Sequence, residues 1–156
     1  MNQTYEASGH CVGEANWHLQ FTPGYRRDIF RDQLVRELTL AYLFEGAKKL
    51  GVTIGAIEFG PDHVHLFLQG TRKVSVTHAV QTLKGFSSRQ MRKSHNYLFQ
   101  HKLWGDKFWS EGYFYQTVGT ITAETVKRYI EQGQTKHWTK TANQDKQQRT
   151  LLNYAG

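Results

Sequence analysis

A chain of 156 residues with 38% hydrophobic and 13% aromatic residues suits one packed domain and is too apolar for a disordered one. Its 20 Lys and Arg against 13 Asp and Glu leave a formal net charge of +7, which favours a polyanionic partner, because clustered cations neutralise phosphates and release counterions. A lone cysteine, Cys11, excludes an intrachain disulfide and a cysteine-based zinc site, and no apolar run nears the ~18 residues that span a bilayer.

Met1-Asn2-Gln3-Thr4 lacks the charged start and apolar stretch of a secretion signal, so a cytoplasmic protein with no membrane contact is expected. Residues 1–14 are polar, small and Gly-containing, and read as a flexible arm. Trp17, Leu19 and Phe21 then alternate with His18, Gln20 and Thr22, the period of a half-buried strand. Pro23-Gly24 ends it, and the basic loop Tyr25-Arg26-Arg27 follows. From Arg31 the period becomes helical through Leu34, Val35, Leu38, Ala41, Tyr42, Ala47 and Leu50, with Gly51 at the stop. Residues 52–59 and 63–69 read as a hairpin around Gly60-Pro61-Asp62. Ser75 is placed to cap a second helix whose apolar face is Val76, Ala79, Val80, Leu83 and Phe86. A last strand lies near Tyr113–Val118, and a third helix starts after Thr122 with Val126, Tyr129 and Ile130 on one side.

Strand, helix, strand, strand, helix, strand, helix is the order of an α+β, ferredoxin-like split βαβ sheet with helices on one face and an added C-terminal helix bearing Tyr129. The chain divides into the arm (1–14), one domain (15–138) and a polar tail (139–156).

His63 and His65 are the most informative pair. Residues two apart in a strand share a face, with Cα atoms roughly 6.5–7 Å apart. The two imidazoles can therefore share a divalent ion while Val64, Leu66 and Leu68 face a core. The plain alternative is two histidines on a solvated sheet face. Two ligands bind weakly, so a third group is required.

Tyr129 shares helical spacing with Val126 and Ile130 and could be a core tyrosine. As a nucleophile towards phosphorus, its weakly reactive phenol needs a metal to polarise the phosphate. A side-chain amide one turn further on would supply the missing ligand, and Gln132 fits.

Five segments occur in order: Thr22-Pro-Gly-Tyr25-Arg26-Arg27 through Phe30; Asp62-His63-Val64-His65-Leu66; Leu83-Lys84-Gly85-Phe86-Ser87-Ser88-Arg89; Trp109-Ser-Glu-Gly-Tyr113 leading to Thr117-Val118-Gly119; and Val126-Lys-Arg-Tyr129-Ile-Glu131. The set resembles the single-tyrosine HUH transposases, the TnpA-type enzymes of the simplest insertion sequences, over roughly residues 16–138. The resemblance implies an obligate homodimer that cuts single-stranded DNA beside a hairpin at the element end. Tyrosine becomes joined to the 5′ phosphate, a 3′ hydroxyl is freed, and strands are exchanged without ATP. It also implies Mg²⁺ or Mn²⁺ held by two histidines and a glutamine, with the tyrosine helix completing the partner subunit's site.

The sequence departs from that pattern once. The family's usual glutamine, four residues after the tyrosine, is Gly133 here. Gln132 lies about 60° from Tyr129 in helical projection and Gln134 about 140°. Gln132 is the preferred ligand, with Gln134 available if the helix unwinds at Gly133. An inactive relative also stays open.

Arg26, Arg27, Lys84, Arg89, Arg92 and Lys93 are the expected DNA-backbone contacts, and Tyr25, Phe86, Trp104 and Trp109 could stack on unpaired bases or belong to the core. His10, His18, His78, His95, His101 and His137 have no partner at useful spacing and are assigned no role. The alternatives are a replication-initiator or relaxase-like nuclease, a ferredoxin-like module that grips nucleic acid without cutting it, and a metal-dependent phosphoesterase with no covalent step.

Overall fold

The computed structural model describes residues 6–8, 11–119 and, further on, residues 124, 125, 127, 128, 130 and 132. The sheet begins with β3 (Asn16–Phe21), preceded by two short strands, β1 (Glu6–Ser8) and β2 (Cys11–Gly13). These pair antiparallel, Glu6 opposite Gly13 and Ser8 opposite Cys11, and form a separate two-stranded sheet. Part of the expected loose arm is therefore paired backbone; the ladder needs no apolar alternation, so composition gave no sign of it.

After β3, two 3-10 turns (Gly24–Arg26 and Ile29–Arg31) carry the chain to α1 (Gln33–Leu50). Asp32 caps that helix, accepting hydrogen bonds from the Leu34 N–H at 2.9 Å and the Val35 N–H at 3.3 Å, a contribution of about 1 kcal/mol. Gly51 ends it at φ 73°, a left-handed conformation that glycine adopts without steric cost. α1 buries Val35, Thr39, Leu43, Gly46 and Ala47, and Leu34 faces out. β4 (Thr53–Gly60) and β5 (His63–Gln69) then form the hairpin, with only Pro61 and Asp62 in the turn. α2 (Val76–His95) starts at Ser75, whose hydroxyl accepts from the His78 N–H at 3.2 Å, and the last strand is β6 (Phe114–Val118).

The four long strands are antiparallel in the order β4-β5-β3-β6, the ferredoxin-like arrangement expected from the element order. One face carries Trp17, Leu19, Phe21, Val64, Leu66 and Leu68, which form the main core with Val35 and Leu43 of α1 and Leu83 and Met91 of α2. Both long helices therefore cover that face.

The opposite face follows from strand register: Gly60 beside His63; Glu58, His65, Gln20 and Phe114 in a second row; Ala56, Phe67, His18 and Gln116 in a third. Here Phe67, Val118 and Ile130 make a second small cluster, with Ala56 against it. Residues 124, 125, 127, 128, 130 and 132 are helical, and Ile130, 3% exposed, docks this segment on the second face. The helix start at 120–123 and the tail 139–156 lie outside the described residues.

Between α2 and β6, residues 96–113 add to the main core through Phe99, Leu103, Phe108 and Trp109. Trp109 is buried, and its Nε1–H donates to Ser87 Oγ at 2.9 Å. Backbone bonds from Gly24 N to Phe108 O and from Ser110 N to Thr22 O fasten this segment beside the end of β3. Trp104 stays exposed.

Candidate active site

His63 opens β5 immediately after the two-residue turn, directly opposite Gly60. Its ring occupies the space above that glycine. A Cβ built on Gly60 would come 2.2 Å from His63 Cε1 and 2.6 Å from Nε2, so only glycine leaves room for the imidazole. The ring's Nδ1–H donates to Asp62 Oδ1 at 2.8 Å, and Asp62 Oδ2 lies 3.4 Å from Arg26 Nε. This brings the first loop to the site: Tyr25 and Arg26 both hold positive φ, 54° and 51°, turning the chain back towards the hairpin.

His65, two residues on, shares the face; its ring centroid is 5.1 Å from that of His63, with the rings nearly perpendicular. On its other side stands His18 of β3. Nε2 of His18 and Nδ1 of His65 share a hydrogen bond of 2.9 Å, and the rings stack at 5.1 Å. Phe114 of β6 meets His18 edge-on at 5.7 Å. Burial pushes the His18 pKa down, favouring the neutral ring. Sequence spacing assigns His18 no role, because its partner is 47 residues away and the contact has no local signal.

With Nδ1 engaged on both rings, Nε2 is the nitrogen through which each would coordinate an ion, the usual way a second partner orients a metal-binding imidazole. Mg²⁺ and Mn²⁺ favour oxygen donors, so beside two imidazole nitrogens an amide or phosphate oxygen would have to complete such a site. Among the described residues no group of three or more His, Cys, Asp or Glu is arranged to hold a metal. Any third protein ligand would therefore be another residue type or come from another segment. Gln132 is helical and exposed, on the segment that Ile130 docks to this face. Tyr129, Gly133 and Gln134 lie outside the described residues.

A family model described as transposase IS200-like matches residues 11–133. The chain belongs to that family. It is 32% identical over 120 residues to the ISDra2 transposase TnpA of Deinococcus radiodurans, covering 77% of this chain and 84% of the relative. It is 31% identical over 121 residues to the transposase for insertion sequence element IS200 of Salmonella typhimurium, 78% of each chain. Among solved structures, a transposase from Deinococcus radiodurans R1 superposes with a TM-score of 0.65 at 30% identity, over 81% of this chain and 96% of the other. A REP-associated tyrosine transposase bound to a REP hairpin shares the fold at a TM-score of 0.57 and 14% identity, over 88% and 73%.

Within this transposase, the six expected DNA contacts scatter. Arg26 stands beside the histidine pair, and the Arg27 guanidinium lies 4.8 Å from the centre of the exposed Trp104 ring. Lys84 is committed inward: Nζ donates to the carbonyls of Ser110 at 2.6 Å and Gly112 at 3.1 Å, and burial lowers its pKa. Arg92 likewise donates to Asn96 Oδ1 and to the Leu103 and Lys107 carbonyls. Both fasten the 96–113 segment to α2. Arg89 and Lys93 are exposed on α2, which covers the sheet face opposite the histidines. Of the stacking candidates, Tyr25 is 83% exposed, whereas Phe86 and Trp109 are core. Among the described residues no helix is long and apolar enough to cross a membrane.

Proposed function

We propose that this transposase is a single-tyrosine enzyme that cuts and rejoins single-stranded DNA, with Tyr129 as nucleophile and His63, His65 and Gln132 as ligands of Mg²⁺ or Mn²⁺. One observation carries the reading: Ile130, the residue after Tyr129, is buried against Phe67 and Val118 on the same sheet face as His63 and His65. That contact supports a nucleophile carried on the same surface as the metal pair.

The Tyr129 oxygen gives up its proton and forms a bond to phosphorus as the bond from phosphorus to the 3′ oxygen breaks. The 3′ oxygen takes a proton and leaves as a hydroxyl, and the 5′ phosphate stays on Tyr129. Attack by another 3′ hydroxyl reverses the step and restores a phosphodiester, so no nucleotide energy is consumed. A divalent ion held by His63, His65 and Gln132 would supply positive charge to the scissile phosphate. Arg26, held near Asp62 by an exposed pair that contributes little to stability, is placed to engage a phosphate beside the histidines. Arg27, Trp104 and Tyr25 form an exposed basic and aromatic surface suited to backbone and unpaired bases. A hairpin substrate is in keeping with the hairpin bound by the fold neighbour.

A homodimer belongs to the same reading. Among the described residues β6 is an edge strand, with Phe114 and Tyr115 each 50% exposed, the kind of aromatic edge that gains from being covered. Gly133, where the family usually has glutamine, favours one second reading, a protein that binds the hairpin without cutting it. The test separates them: His63→Ala and His65→Ala should each abolish cleavage of hairpin-bearing single-stranded DNA while leaving its binding within a few-fold. Cleavage retained in both variants would refute the metal assignment.

A further inference from the structure

The two histidines of the metal pair are held by unlike partners. His63 donates from Nδ1 to the Asp62 carboxylate, the next residue back. His65 meets a second imidazole from a different strand at 2.9 Å, stacked and with Phe114 against its far side. A carboxylate only accepts, so it fixes the tautomer of His63. A histidine can accept or donate, so the direction of the second bond is a choice with chemical consequences.

We propose that His18 is a positioning residue for this transposase: by accepting a hydrogen bond from Nδ1 of His65 through its own Nε2, it holds His65 in the tautomer that presents Nε2 to the metal. The proposal rests on the metal-dependent reading above. One proton lies between Nε2 of His18 and Nδ1 of His65. If His18 donated it, a neutral His65 would carry its own proton on Nε2 and could not coordinate there. If His65 donates, His18 carries its proton on Nδ1, and the Nε2 lone pair of His65 is aimed by the stack. Coordination in turn makes the Nδ1–H of His65 a better donor, so ion and hydrogen bond reinforce each other. Strand register fixes the pairing, because β3 runs beside β5 and His18 stands opposite Phe67, diagonal to His65 on the same face.

The loss expected on removing such a partner is 10–100-fold in metal affinity. Mn²⁺ binding to the full-length protein without DNA, followed by electron paramagnetic resonance or calorimetry, reads this without reference to activity. His18→Phe keeps an aromatic stack and loses the acceptor, so it should weaken Mn²⁺ binding by about that factor. His18→Gln places an amide oxygen near the original Nε2 and should stay within a few-fold of the unsubstituted protein. Equal Mn²⁺ affinity in His18→Phe would overturn the proposal. The unsubstituted protein provides a check independent of folding in the variants: with Mg²⁺ bound, ¹⁵N spectra should show His65 protonated at Nδ1, with a coupling across the bond to His18 Nε2. His65 protonated at Nε2 would overturn the proposal too. An unsubstituted protein that binds no Mn²⁺ would instead refute the metal reading itself.

Discussion

Gly60→Ala changes one hydrogen to one methyl at the point where the His63 ring covers the backbone. The added Cβ would stand 2.2 Å from Cε1, 2.6 Å from Nε2 and 2.7 Å from Nδ1 of that ring, against the ~3.5–4.0 Å at which carbon atoms rest. The imidazole must retreat by about 1 Å or more. It is 6% exposed, so it cannot swing freely aside, and the 2.8 Å bond to Asp62 gives way first. Two opposed terms act on folding. Alanine restricts the unfolded chain and stabilises by about 0.4–1 kcal/mol, while the lost hydrogen bond and a displaced rotamer each cost about 0.5–1.5 kcal/mol. Net destabilisation should fall between zero and about 2.6 kcal/mol. Metal binding has no offsetting gain, and misaiming one of two imidazoles should cost about 10–100-fold in Mn²⁺ affinity. Thermal unfolding of the metal-free protein and a Mn²⁺ titration measure the two effects separately. A variant that binds Mn²⁺ as the unsubstituted protein does would refute the reasoning that Gly60 exists to seat His63.

The division of the basic residues gives a second expectation: Arg27→Ala should lower the slope of log affinity for single-stranded DNA against log salt by about 0.7, one phosphate contact. Lys84→Met should leave that slope unchanged and lower the melting temperature, because its ammonium serves the Ser110 and Gly112 carbonyls. Asp28 sets part of the acid limit. Burial works to raise its pKa, but hydrogen bonds and charges from Lys102 and Arg31 outweigh it, and the folded value falls below 3.8. A depressed carboxylate stabilises the fold above the unfolded pKa and loses that contribution as pH falls through the folded one. Asp28→Asn should therefore narrow the stability difference between about pH 5 and about pH 3, seen in thermal melts.

Strand alternation around Trp17, Leu19 and Phe21, the helix stop at Gly51 and the turn before His63 were all legible in the sequence, because each is written in neighbouring residues. The ferredoxin-like order followed from the succession of elements. What escaped reading depends on contacts between distant segments. His18 meets His65 only through the register of β3 on β5, and a slip of one residue would turn it to the other face. Residues 96–113 have no periodicity, yet Phe99, Phe108 and Trp109 pack into the core and draw in Lys84 and Arg92. Two lysine and arginine side chains expected on DNA are spent on carbonyls, since a loop without a ladder needs donors from elsewhere. Arg26 shows the converse, a loop residue brought beside the histidines by two positive-φ residues.

The measurement that bears most directly on the account is a denaturing gel of the full-length protein incubated with Mn²⁺ and labelled single-stranded DNA carrying its own element's end hairpin, beside Tyr129→Phe. The account predicts a metal-dependent covalent protein–DNA band, absent in Tyr129→Phe and traced by mass spectrometry to a 5′ phosphate on Tyr129. Hairpin binding with no adduct, or an adduct that survives in Tyr129→Phe, would contradict it.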